Sequence, residues 1–234
     1  MKKLFLFLIL FIAVPNSYPQ TCYSNFNHYF GIQINAGFTF YDLSPLKDNF
    51  NEAVNNINQN YDIPLVVQRL YPNNISWSGY LFWYFSPGLS LVFGPEFTST
   101  KAFSRYKDYA GTLDLTSELN QIYLSVDIRK NFNNVKYLQP FIGAGLALTH
   151  VSYNNDVELT FNNEYASLNN SYNSSNSDYS DVGYCAEICA GFDYNIKIAV
   201  LEFIASYRYT WLELLKINPD TFNIRLGIQK GFFR

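Results

Sequence analysis

The segment Thr221-Phe-Asn-Ile-Arg-Leu-Gly-Ile-Gln-Lys-Gly-Phe-Phe233 decides the architecture. Phe222, Ile224, Leu226, Ile228 and Phe232 occupy one side of a period-two alternation that only Lys230 breaks, and Phe233 follows. Asn223, Arg225, Gly227, Gln229 and Gly231 occupy the other side. Such alternation makes a strand with one apolar and one polar face. A soluble strand turns the apolar face to a core; a strand of a membrane barrel turns it to lipid. An aromatic-terminated strand at the end of an exported chain favours the second arrangement, with this strand closing a cylinder onto the first. Closure matters because an open edge in lipid leaves backbone N–H and C=O groups unpaired, at several kcal/mol each. A secreted aromatic-rich β-sandwich shares the alternation, and the pattern of one strand leaves it open.

The N-terminus supplies the export signal. Met1-Lys-Lys3 is basic and Leu4 to Val14 is an unbroken apolar run of signal-peptide length. A spanning helix needs roughly 20 apolar residues, and no stretch reaches that, so an α-helical membrane protein is excluded. Residues 1–21 are read as a signal peptide cleaved between 17 and 22, and 22–234 as the barrel domain. The formal charge of −3 becomes −5 once Lys2 and Lys3 are removed. No basic cluster points to nucleic acid, and no metal-ligand spacing, phosphate loop or catalytic carboxylate pair implies a cofactor. Twenty Tyr and 21 Phe beside a single Met suit an apolar belt with aromatic girdles.

Seven further alternating segments precede the closing strand: 29–41, 75–86, 89–102, 115–130, 137–152, 182–195 and roughly 198–210. Tight turns at Ser86-Pro-Gly88, 131–136 and 195–197 alternate with long connections of about 33, 12, 29 and 10 residues, the rhythm of short periplasmic turns and long outer loops. The expected fold is therefore all-β: an eight-stranded antiparallel up-and-down transmembrane β-barrel with one short helix in the first long loop. Both termini are expected in the periplasm of a bacterium, with the barrel integral to the outer membrane. The polar segment from Tyr153 to Asp181 reads as a long surface loop. Cys185 and Cys189, four apart on one strand face, lie about 13 Å apart at 3.3 Å per residue, too far for a disulfide. Cys22 has no lipobox lead.

With apolar faces outward, the lumen receives Glu96, Asp127, Arg129, Glu187, Asp193, Glu202, Arg208 and Arg225. Acids and arginines pair there, which lowers the cost of burying charge. Eight strands leave room for side chains alone, so a plugged cylinder is expected rather than a porin-like diffusion pore. The helix is expected from Pro45 to Tyr61, with Ser44 as N-cap and Leu46, Phe50, Val54, Ile57 and Tyr61 as its apolar stripe. That stripe needs cover, either as a lid on the barrel's own mouth or as a docking surface for a protein partner.

Gly31-Ile-Gln-Ile-Asn-Ala-Gly-Phe-Thr-Phe40 resembles the first strand of small PorT-like and OmpA-like outer-membrane barrels. Tyr137-Leu-Gln-Pro-Phe-Ile-Gly-Ala-Gly145 and Leu201-Glu-Phe-Ile-Ala-Ser-Tyr-Arg-Tyr-Thr210 are similar to further strands of that family. The resemblance implies an outer-membrane barrel in contact with lipid, non-enzymatic, acting through its outer loops or helix on a membrane protein partner or in envelope integrity. His150-Val-Ser152, with Glu158 and Glu164 downstream, resembles the His-x-Ser arrangement of PagL-type lipid A deacylases, in which His activates Ser. Tyr153 stands where that family carries Asn. A lipid A hydrolase using His150 and Ser152, or a narrow ion or solute channel, are the alternative functions.

Overall fold

The computed structural model describes residues 29–86, 88–108, 111–132, 138–161, 172–196, 199–212 and 219–231. Residues 1–21, expected to be a signal peptide, lie outside them, as do Cys22, Phe232 and Phe233. The elements are β1 (Tyr29–Tyr41), α1 (Ser44–Tyr61), β2 (Val66–Arg69), β3 (Asn74–Ser86), β4 (Leu89–Lys107), β5 (Gly111–Asn131), β6 (Leu138–Phe161), β7 (Tyr172–Ile196), β8 (Ala199–Trp211) and β9 (Thr221–Gly231).

Closure occurs between the last strand and the first. β9 lies antiparallel to β1 from Gly31 opposite Gly231 to Tyr41 opposite Thr221. The ring continues β1–β3–β4–β5–β6–β7–β8–β9, every neighbour antiparallel, so eight strands close an up-and-down barrel. β2 is a ninth strand outside the ring's count. It pairs with the far end of β4, Val66 opposite Arg105, where β3 has already ended. There it covers backbone groups that would otherwise form an open edge. Among the described residues no helix is long and apolar enough to cross a membrane; the strands make the crossing.

Side-chain orientation inverts the soluble arrangement. Ile34 (62% exposed), Leu226 (65%) and Ile188 (59%) face outward, whereas Asn35, Arg225 and Glu187 on the same strands are buried inside. In water so much apolar surface would be a heavy cost; in a bilayer it is the contact surface, and the barrel spans a membrane. Aromatics flank this belt. Phe30 stacks on Trp83 at one end and Tyr209 meets Trp211 at the other, as interfacial girdles do.

Four strands outrun the belt, and here the structure corrects the sequence reading. The segment 153–181 is largely strand: β6 runs to Phe161 and β7 starts at Tyr172. Likewise β4 reaches Lys107 and β5 begins at Gly111, so the third connection is a short turn instead of a 12-residue loop. The reason is a change of phase. Within the belt the outward residues of β5 and β6 are apolar (Ile122, Leu124, Leu146, Leu148). Beyond it apolar residues turn inward as well, Leu115 and Leu119 on β5 and Val151 on β6, among small polar ones such as Ser104 and Ser117. The projecting part is an ordinary water-facing sheet, polar outside, and its apolar inner face is covered by α1.

The α1 N-cap is also corrected. Leu43, not Ser44, holds the cap position, and its carbonyl accepts the Lys47 N–H at 3.0 Å. Ser44 already lies inside the helix beside Pro45, and its hydroxyl donates outward to Asp42 at 3.1 Å.

Candidate functional site

The lumen is crossed by a ring of alternating charges. Glu96 (β4), Glu187 (β7), Arg208 (β8) and Arg225 (β9) face inward because each falls on the polar phase of its strand. Arg208 Nη2 donates to Glu187 Oε2 at 2.6 Å and to Glu96 Oε2 at 3.0 Å. Arg225 Nη2 donates to Glu187 Oε1 at 2.7 Å, and Arg225 Nη1 also pairs with Glu96. Two carboxylates and two guanidiniums thus neutralise one another around a closed circuit. The sequence reading left out the neutral supports. Tyr80 OH donates to Glu96 at 3.0 Å and accepts from Arg225 at 2.8 Å, and the Arg208 guanidinium sits 4.0 Å over the Tyr123 ring. Tyr80 lies inward on β3 between Ser78 and Phe82, and Tyr123 lies inward on β5 between Gln121 and Ser125.

A second group lies nearer the tight-turn end. Arg129 pairs with Glu202, which also accepts from Gln33. Asp127 stands 3.9 Å from Arg129, and Asp193 accepts from Asn131 at 3.3 Å and Tyr84 at 3.4 Å. All eight lumen residues named from the sequence therefore sit in one interior. The Gly-x-Gly of β6 makes room for them, since a Cβ at Gly145 would fall 1.9 Å from Asp127 Oδ1. Cys185 and Cys189 are buried, free thiols on the same inward face.

At the opposite end α1 packs against the projecting strands. Leu46, Phe50 and Val54 are buried against Ala102, Leu115, Leu119 and Val151 of the projecting strands, with Ile57 partly buried beside them. The side chain of Tyr61 lies outside the described residues. Leu43, Leu65 and Tyr71 from the flanking chain and Leu212 after β8 join the cluster; Phe50 meets Tyr71 edge to face at 6.3 Å, and Tyr71 OH donates to Ser117 at 2.5 Å. Burial pushes the Tyr71 phenol well above its ordinary range. The Asn58 side chain bonds both the N–H (2.8 Å) and the C=O (3.2 Å) of Leu65, fixing the chain where it leaves the helix.

His150 and Ser152 both face outward at the belt's edge. Ser152 Oγ donates to Asn154 Oδ1 at 3.1 Å, and among the described residues no hydrogen bond joins it to His150. Phe222, Leu226 and Ile228 of β9 are exposed to the membrane side, and Ile224 is half-buried beside them.

No family model matches the chain. No curated protein matches it either. Among solved structures it is similar to Neisserial surface protein A, at 14% identity over 88% of this chain and 97% of that one, TM-score 0.43. It is similar to Ail, the attachment invasion locus protein of Yersinia pestis, at 11% identity over 88% and 100%, TM-score 0.42. The N-terminal β-barrel domain of Pseudomonas aeruginosa OprF aligns at 15% identity over 86% and 97%, TM-score 0.39. The barrel assignment for this chain stands on its own strand pairing and inverted burial.

Proposed function

We propose that the protein is a non-enzymatic, closed barrel of the bacterial outer membrane that acts through its outward surface. The observation that carries this reading is the double closure. The Glu96–Arg208–Glu187–Arg225 circuit blocks the lumen, and α1 covers the mouth with its apolar stripe turned inward. A stripe so occupied serves as a lid and is not offered for docking, so contacts with a partner fall to the projecting ends of β4 to β7. The chain enters β1 and leaves β9 at the end that carries the tight β3–β4 turn. This favours periplasmic termini and an α1-capped end outside the cell. Planar-bilayer recording of the purified barrel tests the closure. Silence is expected, and steady unitary conductance from folded wild-type protein would refute it.

A further inference from the structure

The hydrogen-bond ladder of the lipid-facing wall is interrupted between β3 and β4. Proline has no N–H to give to a neighbouring strand. Pro95 stands opposite Gly79, and the pairing skips Gly79–Pro95 and Tyr80–Gly94, although it holds on either side at Ser78–Glu96 and Leu81–Phe93. The Gly79 carbonyl, which the missing N–H would meet, therefore receives none from β4. Gly79 lies four residues from Ile75 and four from Trp83 on β3, about 10 Å from either at 3.3 Å per residue and a strand tilt near 40°. At that depth acyl chains offer no donor, and a backbone carbonyl without one is costly.

The interruption is also a notch. Ile32, Ile34, Leu81, Phe93 and Pro95 surround Gly79 in a recess of about 300 Å³ on the outside of the barrel. A Cβ on Gly79 would meet nothing within 4 Å. Tyr80 also lines the recess, and since its side chain points into the lumen, its backbone is what the recess meets. The floor of the notch is thus the open ladder itself.

One rung outward on β3 stands the complementary group. Trp77 is 59% exposed on the same face, and among the described residues its indole N–H has no hydrogen-bond partner. An indole can only donate. Ile75, paired with Phe38 of β1, carries the apolar face a further rung outward, so this N–H starts inside the hydrocarbon. The chain therefore presents an acceptor without a donor and a donor without an acceptor, about 5 Å apart in height. Lipid tails serve neither, whereas a second copy serves both. Two copies inserted in the same direction are related by a two-fold axis along the membrane normal, which preserves height and sets each Trp77 beside the other's notch. Such an isologous contact forms both bonds at once. We propose that the barrel dimerises in the membrane through β3 and β4, the Trp77 indole of each copy seated in the Gly79–Pro95 notch of the other and donating to the Gly79 carbonyl. The proposal rests on the membrane-spanning reading and is independent of the lumen's closure.

The test is sedimentation equilibrium of the full mature protein in density-matched micelles. Wild type is expected to associate to a dimer. Trp77→Phe keeps an aromatic ring and removes the donor; two lost hydrogen bonds at about threefold each should raise the dissociation constant roughly tenfold. Gly79→Leu fills the notch from a position with free space around it and should abolish the dimer. Pro95→Ala returns an N–H to the Gly79 carbonyl, so it should weaken the dimer about as much as Trp77→Phe while raising the temperature at which the fast-migrating band is lost. Faster migration of unboiled than boiled protein in SDS gels checks each variant's barrel, so failure of the fold is told apart from failure of the contact. A monomeric wild type, or a dimer unchanged in folded Gly79→Leu or Trp77→Phe, would overturn the proposal. In cells, a photo-crosslinking residue in place of Leu81 on the notch rim should yield a band of twice the mass. A crosslinked product with a different protein alone would overturn the second copy as occupant.

Discussion

Replacing Arg208 with Met tests the charge circuit most directly. Arg208 donates four hydrogen bonds, at 2.6 and 3.2 Å to Glu187 and at 3.0 and 3.3 Å to Glu96, from a fully buried position. Met keeps much of the volume but leaves two carboxylates facing the single guanidinium of Arg225. Removing one partner of a buried ion pair costs about 3–5 kcal/mol, because the remaining charge stays out of water. At roughly 2–4 °C per kcal/mol for a chain of this size, the midpoint of heat modification should fall by about 6–20 °C. The second half of the experiment isolates the cause. R208M/E96Q restores the charge balance and should recover a large part of the loss, whereas E96Q alone should destabilise by leaving Arg208 under-paired. The assay is the fraction of unboiled, fast-migrating protein against temperature, with urea unfolding in detergent as a second measure. The reasoning fails if R208M shifts stability by less than about 1 kcal/mol, or if the double variant is no better than R208M, since coupled neighbours must deviate from additivity.

Truncating Phe50 to Ala should cost the lid cluster about 3–5 kcal/mol, so protease should cut residues 42–65 at least about a hundredfold faster; unchanged cleavage with loss of a co-purifying protein would instead make α1 a docking element. Protease added to intact cells should cut within residues 162–171 and spare the turn at Ser86 to Gly88, and the reverse pattern would invert the topology. Ser152→Ala should leave the lipid A acylation of expressing cells unchanged, and an acyl chain absent with wild type but present with the variant would establish a hydrolase.

Much of the barrel wall was legible because lipid imposes one rule on every strand. The outward phase of 29–41 and 221–231 must be apolar and the backbone must close, so alternation in the sequence maps onto pairing. The lumen residues were legible for the same reason: a charge on the polar phase of a closed wall has nowhere to go but inward. The rule stops at the membrane surface. Val151 and Ser152 follow Leu148 without a break in the strand, yet the apolar residue there points inward. A reading held in a single phase takes this stretch for loop. β2 was missed because four residues, Val66 to Arg69, carry no period of their own and are strand only because β4 offers them an edge.

By itself, the sequence determined the closed eight-stranded wall, its inside-out polarity and the identity of the buried charges. These follow from local alternation under the constraint that no backbone group be left unpaired in lipid. Only the tertiary structure decided which acid meets which arginine, because pairing partners such as Glu96 and Arg208 lie 112 residues apart and meet through the ring's order. It also decided what covers the helix. An amphipathic stripe states that a partner exists, but whether that partner is another molecule or the protein's own strands depends on where those strands end. Here they extend past the membrane with an apolar inner face, and α1 lies on it.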